Sequence, residues 1–105
     1  MLVNSKEDGC IGGDFNCIVS SMDATHYPEA KMSRGLQRLI RLKEWNDSFR
    51  TLHPTSKVYS RYYENIRGEG AKRIDRNYHF GDVEVMEAWY QPLAFSDHFG
   101  FITRI

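Results

Sequence analysis

The chain has 105 residues, one domain or a piece of one, and its 41% hydrophobic and 13% aromatic content suffices for a core. Lys plus Arg and Asp plus Glu number 14 each, so the formal net charge is zero. That argues against the broad basic excess of a typical nucleic-acid binder, although basic residues outnumber acidic ones between Arg34 and Arg76. No apolar run approaches the roughly 20 residues of a membrane span, and no membrane association is expected. Cys10 and Cys17 form no CxxC motif and follow no secretory segment. They read as reduced, buried thiols of an intracellular protein.

In chain order, residues 1–9 read as a flexible lead-in and residues 10–105 as the folded part. Cys10 to Val19 is expected to be a strand ending in a functional turn, with Gly12 and Gly13 allowing close backbone approach. Ser20 to Ala30 reads as a loop, since Asp23, Thr25, His26 and Pro28 all disfavour regular structure. Ser33 is a plausible N-cap for a helix to about Trp45, with Leu36, Leu39, Ile40 and Leu42 on its apolar face. A short helical turn is expected from Asn46–Ser48 toward Leu52. Strands follow over Val58–Tyr63, Ala71–Phe80, Val83–Tyr90 and Phe99–Ile105, with a Gly-containing hairpin connection over Glu64–Gly70. Trp45 and Trp89 are expected in the core. The fold class is α/β or α+β: a mainly antiparallel sheet with a helix layer on one face.

Two stretches put polar, chemically active side chains beside apolar runs: Gly12-Gly13-Asp14-Phe15-Asn16 and Ser96-Asp97-His98. In an extended backbone Asp14 and Asn16 point to one side and Phe15 to the other. Carboxylate, amide and imidazole at strand ends suit phosphate and metal chemistry. Each also has a plainer reading: Asp14, Asn16 and Asp97 as turn residues, His98 as a structural histidine, and Asp75 as an ion-pair partner of Arg73 or Arg76.

Gly13-Asp14-Phe15-Asn16, a helix, Arg73-Ile74-Asp75-Arg76 and then Ser96-Asp97-His98 resemble, in order, the C-terminal half of the endonuclease/exonuclease/phosphatase superfamily, the deoxyribonuclease I-like proteins. Trp45 to Pro54, and Tyr59-Ser60 entering a strand, look most like the branch found in LINE-type (non-LTR) retrotransposons. The resemblance runs from about Cys10 to Ile105 and implies a fold: half of a deoxyribonuclease I-like β-sandwich. It implies a Mg²⁺-dependent phosphodiesterase, with Mn²⁺ as a substitute, that nicks DNA in the nucleus. By the same resemblance, Asp14 orients or deprotonates the attacking water and Asn16 holds the phosphate. His98, oriented by Asp75, stabilises growing negative charge, and Asp97 lies beside the metal. The hairpin implied to approach DNA offers Arg67, Lys72 and Arg73 to phosphates, and Ile66 to a groove wall.

The resemblance places a further Asn and a metal-binding Glu in a first half that no residue here matches. Little or no activity is therefore expected of this chain by itself, and the missing half is an expected partner. A competing expectation is a non-catalytic remnant acting as a nucleic-acid or protein interaction module. With Val83, Val85, Phe99 and Phe101 expected at an uncovered sheet face, a homodimer is then plausible. A phosphoinositide phosphatase or sphingomyelinase is a third possibility, which the basic-flanked hairpin disfavours. His26, His53 and His79 are not expected to be functional, and Tyr59, Tyr62 and Tyr63 fit cross-strand packing better than base stacking.

Overall fold

The structure, a computed structural model, describes residues 7–26, 32–66, 68–94 and 96–105. Most of the expected flexible lead-in falls outside these residues, as does Arg67. The elements are β1 (Gly9–Asp14), a 3₁₀ turn (Ser21–Asp23), α1 (Arg34–Lys43), β2 (Asn46–Asp47), α2 (Ser48–Leu52), β3 (Arg61–Asn65), β4 (Gly68–Lys72), β5 (Asp75–Phe80), β6 (Glu87–Pro92) and β7 (Phe99–Arg104). This is a small α+β fold with antiparallel pairing throughout its strands. One sheet has the order β1-β5-β2, and β3-β4 and β6-β7 form two-stranded pairs. Among the described residues no helix is long and apolar enough to cross a membrane.

Local rules explain the helix positions. Ser33 caps α1, its Oγ accepting from the Leu36 N–H at 3.2 Å. Arg41 and Lys43 sit in the last turn, where the helix dipole favours cations. Asp47 caps α2 by accepting from the Arg50 N–H at 3.4 Å. The helix layer, however, is not the one expected. No residue of α1 is buried, and Leu39 and Leu42 are exposed. The short α2 covers the strands instead. Its Phe49, 3% exposed, joins Val85 and Ala88 in the core, with Leu52, Val58, Val83, Tyr90 and Phe101 packed around them. Burying a side chain of this size contributes about 1.5–3 kcal/mol.

Several expectations need correction. Val85 is buried and Val83 and Phe101 pack on the core, so they form no uncovered face. The exposed apolar side chains are others, among them Trp89 and its register partner Ile102, so Trp89 is not core. Trp45 does pack, stacking on Phe80 with ring centroids 6.0 Å apart. Cys17 is buried, but Cys10, on the edge strand β1, is exposed.

The single strand expected over Ala71–Phe80 is broken at Arg73–Ile74. Three consecutive amides leave the ladder there. Arg73 N–H donates to Asp23 O at 2.7 Å, while Ile74 and Asp75 N–H both donate to Ser60 Oγ, at 2.9 and 3.0 Å. The side chain of Arg73 turns inward and is fully buried. It pairs with Asp23 at 2.7 Å and with Asp47, and Arg50 adds a second ion pair to Asp23 at 2.7 Å. Burial opposes ionisation of Arg73, but hydrogen bonds to Asp47 and Asp23 outweigh it and hold its pKa above the ordinary value. The same contest at Asp23 ends with Arg73 and Arg50 outweighing burial and lowering its pKa.

Candidate phosphate and metal site

β1 and β5 pair so that their ends coincide, which sets Asp14 directly opposite Asp75. Beyond Asp14 the chain turns: Asp14 Oδ1 accepts the Asn16 N–H at 2.8 Å. Asn16 adopts φ 53°, a left-handed conformation that Asn tolerates better than most residues. Phe15 N–H still reaches Ile74 O at 2.9 Å, and its ring turns to the other side, edge-on to Tyr78 at 5.2 Å.

His98 arrives from the opposite end of the chain. Its N–H donates to Ser96 Oγ at 3.1 Å. The next amide, Phe99 N–H, donates to Ser60 O at 2.5 Å. Ser60, wholly buried, thus grips both the Asp75 amide through Oγ and the start of β7 through its carbonyl. Tyr90 OH adds a third hold by donating to Asp75 O at 2.6 Å.

The result is a cluster. His98 Nδ1 lies 2.7 Å from Asp75 Oδ2, and one ligand-type atom from each of Asp14, Asp75 and His98 lies within 4.8 Å of the others. They line a hollow of about 200 Å³ together with Gly13, Arg76, Asn77, Leu93, Phe99, Gly100 and Phe101. Asp14 is exposed, and Asp75 and His98 are partly buried. Like charges directly opposite across a strand pair repel. An imidazole N–H donated into Asp75 offsets part of that repulsion, and a cation would offset more.

The other expected site residues fall elsewhere. Asp97 stands one step out: its Oδ2 is 3.2 Å from Arg61 Nε and its Oδ1 is 3.8 Å from His98 Nε2. The hydrogen bond from Arg61 lowers the Asp97 pKa. Asn16 contributes its backbone N–H to the turn, but its exposed side chain is not in the wall of the hollow. Lys72, partly buried, holds its ammonium 5.6 Å from the Tyr63 ring centroid. Arg73 is not available to nucleic acid, because its guanidinium is enclosed with two carboxylates. His26, His53 and His79 each have a ring nitrogen engaged in a local bond, to Glu69 O, Ala88 O and Ser48 Oγ respectively.

Residues that sequence reasoning passed over also shape the site. The wholly buried Arg76 guanidinium bonds Cys17 O, Arg73 O at 3.1 Å and Tyr78 OH at 3.0 Å, with the Phe15 ring centroid 5.1 Å away. It ties the turn after Asp14 down onto β5. The alternation along β5 put Arg76 and Tyr78 on one face and Asp75 and Asn77 on the other, a signal present in the sequence. No family model matches the chain, and no curated protein matches it.

Proposed function

We propose that the chain carries half of the catalytic apparatus of a metal-assisted phosphodiesterase, acting on DNA, in a fold of the deoxyribonuclease I-like kind. One observation carries the reading: Asp14, Asp75 and His98, spread over most of the sequence, meet at one hollow with Asp75 and His98 at 2.7 Å. Two carboxylates are hard oxygen donors and fit Mg²⁺ or Mn²⁺, with Asp14 and Asp75 as the residues to hold it. Such an ion, when bound, supplies neutralisation of phosphoryl oxygens.

The side chains do the rest. Asp14, fixed by the Asn16 N–H, orients a water and accepts its proton as the oxygen bonds to phosphorus, while the opposite P–O ester bond breaks and its sugar oxygen leaves as an alkoxide that takes a proton from solvent. Asp75 sets the plane and tautomer of His98 by taking the Nδ1–H. With a proton on Nε2 as well, the ring acts as an imidazolium whose Nε2–H donates to a phosphoryl oxygen as charge develops. Asp97, held by Arg61, has its Oδ1 3.8 Å from that nitrogen, beside the group of three.

The test is a long single-turnover incubation of supercoiled plasmid with excess protein and Mg²⁺. A slow, Mg²⁺-dependent nick that disappears in both Asp14→Ala and His98→Ala supports the reading. Nicking that survives either substitution refutes it; where the half alone does not nick, Mn²⁺ that leaves the NMR signals of Asp14, Asp75 and His98 sharp refutes it instead.

The exposed apolar residues of α1 and of the outer face of β6-β7 favour a second reading, an interaction module that associates with itself or another protein. Sedimentation velocity decides it for self-association: a monomer at every concentration contradicts a homodimer.

A further inference from the structure

Asn77 has no part in the chemistry above, yet it touches every strand that builds the site. It lies two residues beyond Asp75 on β5, and therefore on the same face of the sheet. Its register partner on β1 is Gly12, two residues before Asp14. Its Nδ2 donates to Thr103 Oγ1 on β7 at 2.9 Å. Thr103 shares a face of β7 with Phe99, the residue after His98. On the other side, Asn77 Oδ1 lies so close over Gly12 that a Cβ at that position would stand 1.8 Å from it. Asn77 is also part of the wall of the hollow.

We infer that Asn77 is a positioning residue that sets the spacing of β1 and β7 about β5, and so the distance of Asp14 from the Asp75–His98 pair. The inference rests on the proposed joint action of those three residues. An amide suits the task. It donates to the threonine hydroxyl, and it adds no third negative charge to the column that already holds Asp14 and Asp75. A leucine of similar bulk would fill the space but leave the Thr103 hydroxyl without this partner. Gly12 is the other half of the device, since only a residue without a side chain admits the Asn77 oxygen at that depth.

The experiment compares wild type with Asn77→Ala, Gly12→Ala and the double variant, each first shown to be folded by urea titration. Two readouts follow: the single-turnover rate of Mg²⁺-dependent plasmid nicking as a function of DNA concentration, and the ring ¹⁵N shifts of His98 at one fixed pH. The expected result is a rate about 10- to 100-fold lower in each single variant, in line with sub-ångström to ångström misplacement of a reacting group. The half-saturating DNA concentration stays unchanged and the His98 ring shifts move. The double variant should be no worse than either single one, because both disturb one contact.

Folded variants that keep the wild-type His98 shifts overturn the inference, as do losses that simply add. If Asn77→Ala does not fold, Thr103→Val removes the same hydrogen bond at nearly constant shape and must move the His98 signals in its place. Cluster signals that stay sharp under Mn²⁺ would sink the proposed function, while the His98 shifts decide, with or without nicking, whether Asn77 positions the cluster.

Discussion

Asp14→Asn separates the charge of Asp14 from its part in the turn, because the substitution removes the first and keeps the second. The substitution keeps an oxygen at Oδ1, so the 2.8 Å bond from the Asn16 N–H survives and the turn stays intact. What disappears is a negative charge facing Asp75, with ligand atoms of the cluster within 4.8 Å of one another. At that separation two unit charges repel by about 0.9 kcal/mol in the dielectric of water and about 3.5 kcal/mol at an effective dielectric of 20. Asp14 is exposed and His98 already shields Asp75, so the lower figure governs. The expected outcome is a gain of about 0.5–1 kcal/mol, within the range measured for cross-strand pairs. That corresponds to about 2–8 °C in Tm for a domain of this size. Asp14→Ala loses the turn bond as well and should come out about 1 kcal/mol below Asp14→Asn. Urea titration followed by tryptophan fluorescence measures both, and the nicking assay should find both inactive. Destabilisation of Asp14→Asn by 1 kcal/mol or more, or retained nicking, would refute the reasoning.

Further outcomes follow from the buried polar groups. Asp23→Asn removes the charge that Arg73 and Arg50 share, leaving cations poorly matched in the interior, and should cost about 3–5 kcal/mol by urea titration. Because the folded pKa of Asp23 lies below its unfolded value near 3.8, its contribution is present above that pH and is lost as pH falls through the lower, folded value. An acid titration of stability should lose that step in Asp23→Asn. His79 acts in a different window. Burial lowers its pKa from the usual 6.5, so the fold prefers the neutral ring bonded to Ser48 Oγ at 2.8 Å. Stability should therefore be undiminished above about pH 6.5 and decline as pH falls below it. His79→Gln should flatten that decline, and a variant with an unchanged profile would contradict it. Phe49→Ala should cost about 3–5 kcal/mol as a cavity in the core.

What could be read from the sequence was mostly local. The Ser33 cap, the helix after it and the Asp47-capped turn follow from side chains bonding amides three residues on. The gathering of Asp14, Asp75 and His98 was legible only through motif order, since nothing local brings residue 98 to residue 14. The misplaced residues share one cause, distant partners. Arg73 looked like a surface cation because its counter-ions, Asp23 and Asp47, lie far off in sequence. The strand break at Arg73–Ile74 depends on Ser60, which takes the amides a continuous ladder would have used. The apolar stripe of α1 promised burial by its period, yet a period says only which face is apolar, and Leu39 and Leu42 are exposed. Trp89 alternates out of the core for the reason Tyr90 alternates in.

The central claim, that Asp14, Asp75 and His98 make one cation and phosphate site, is tested most directly by Mn²⁺ added in small steps to the isotopically labelled protein, watched by NMR. The signals of these three residues should broaden first, and Asp14→Asn should weaken the effect. Sharp signals at all three while Glu64, Glu69 or other exposed carboxylates broaden would contradict it.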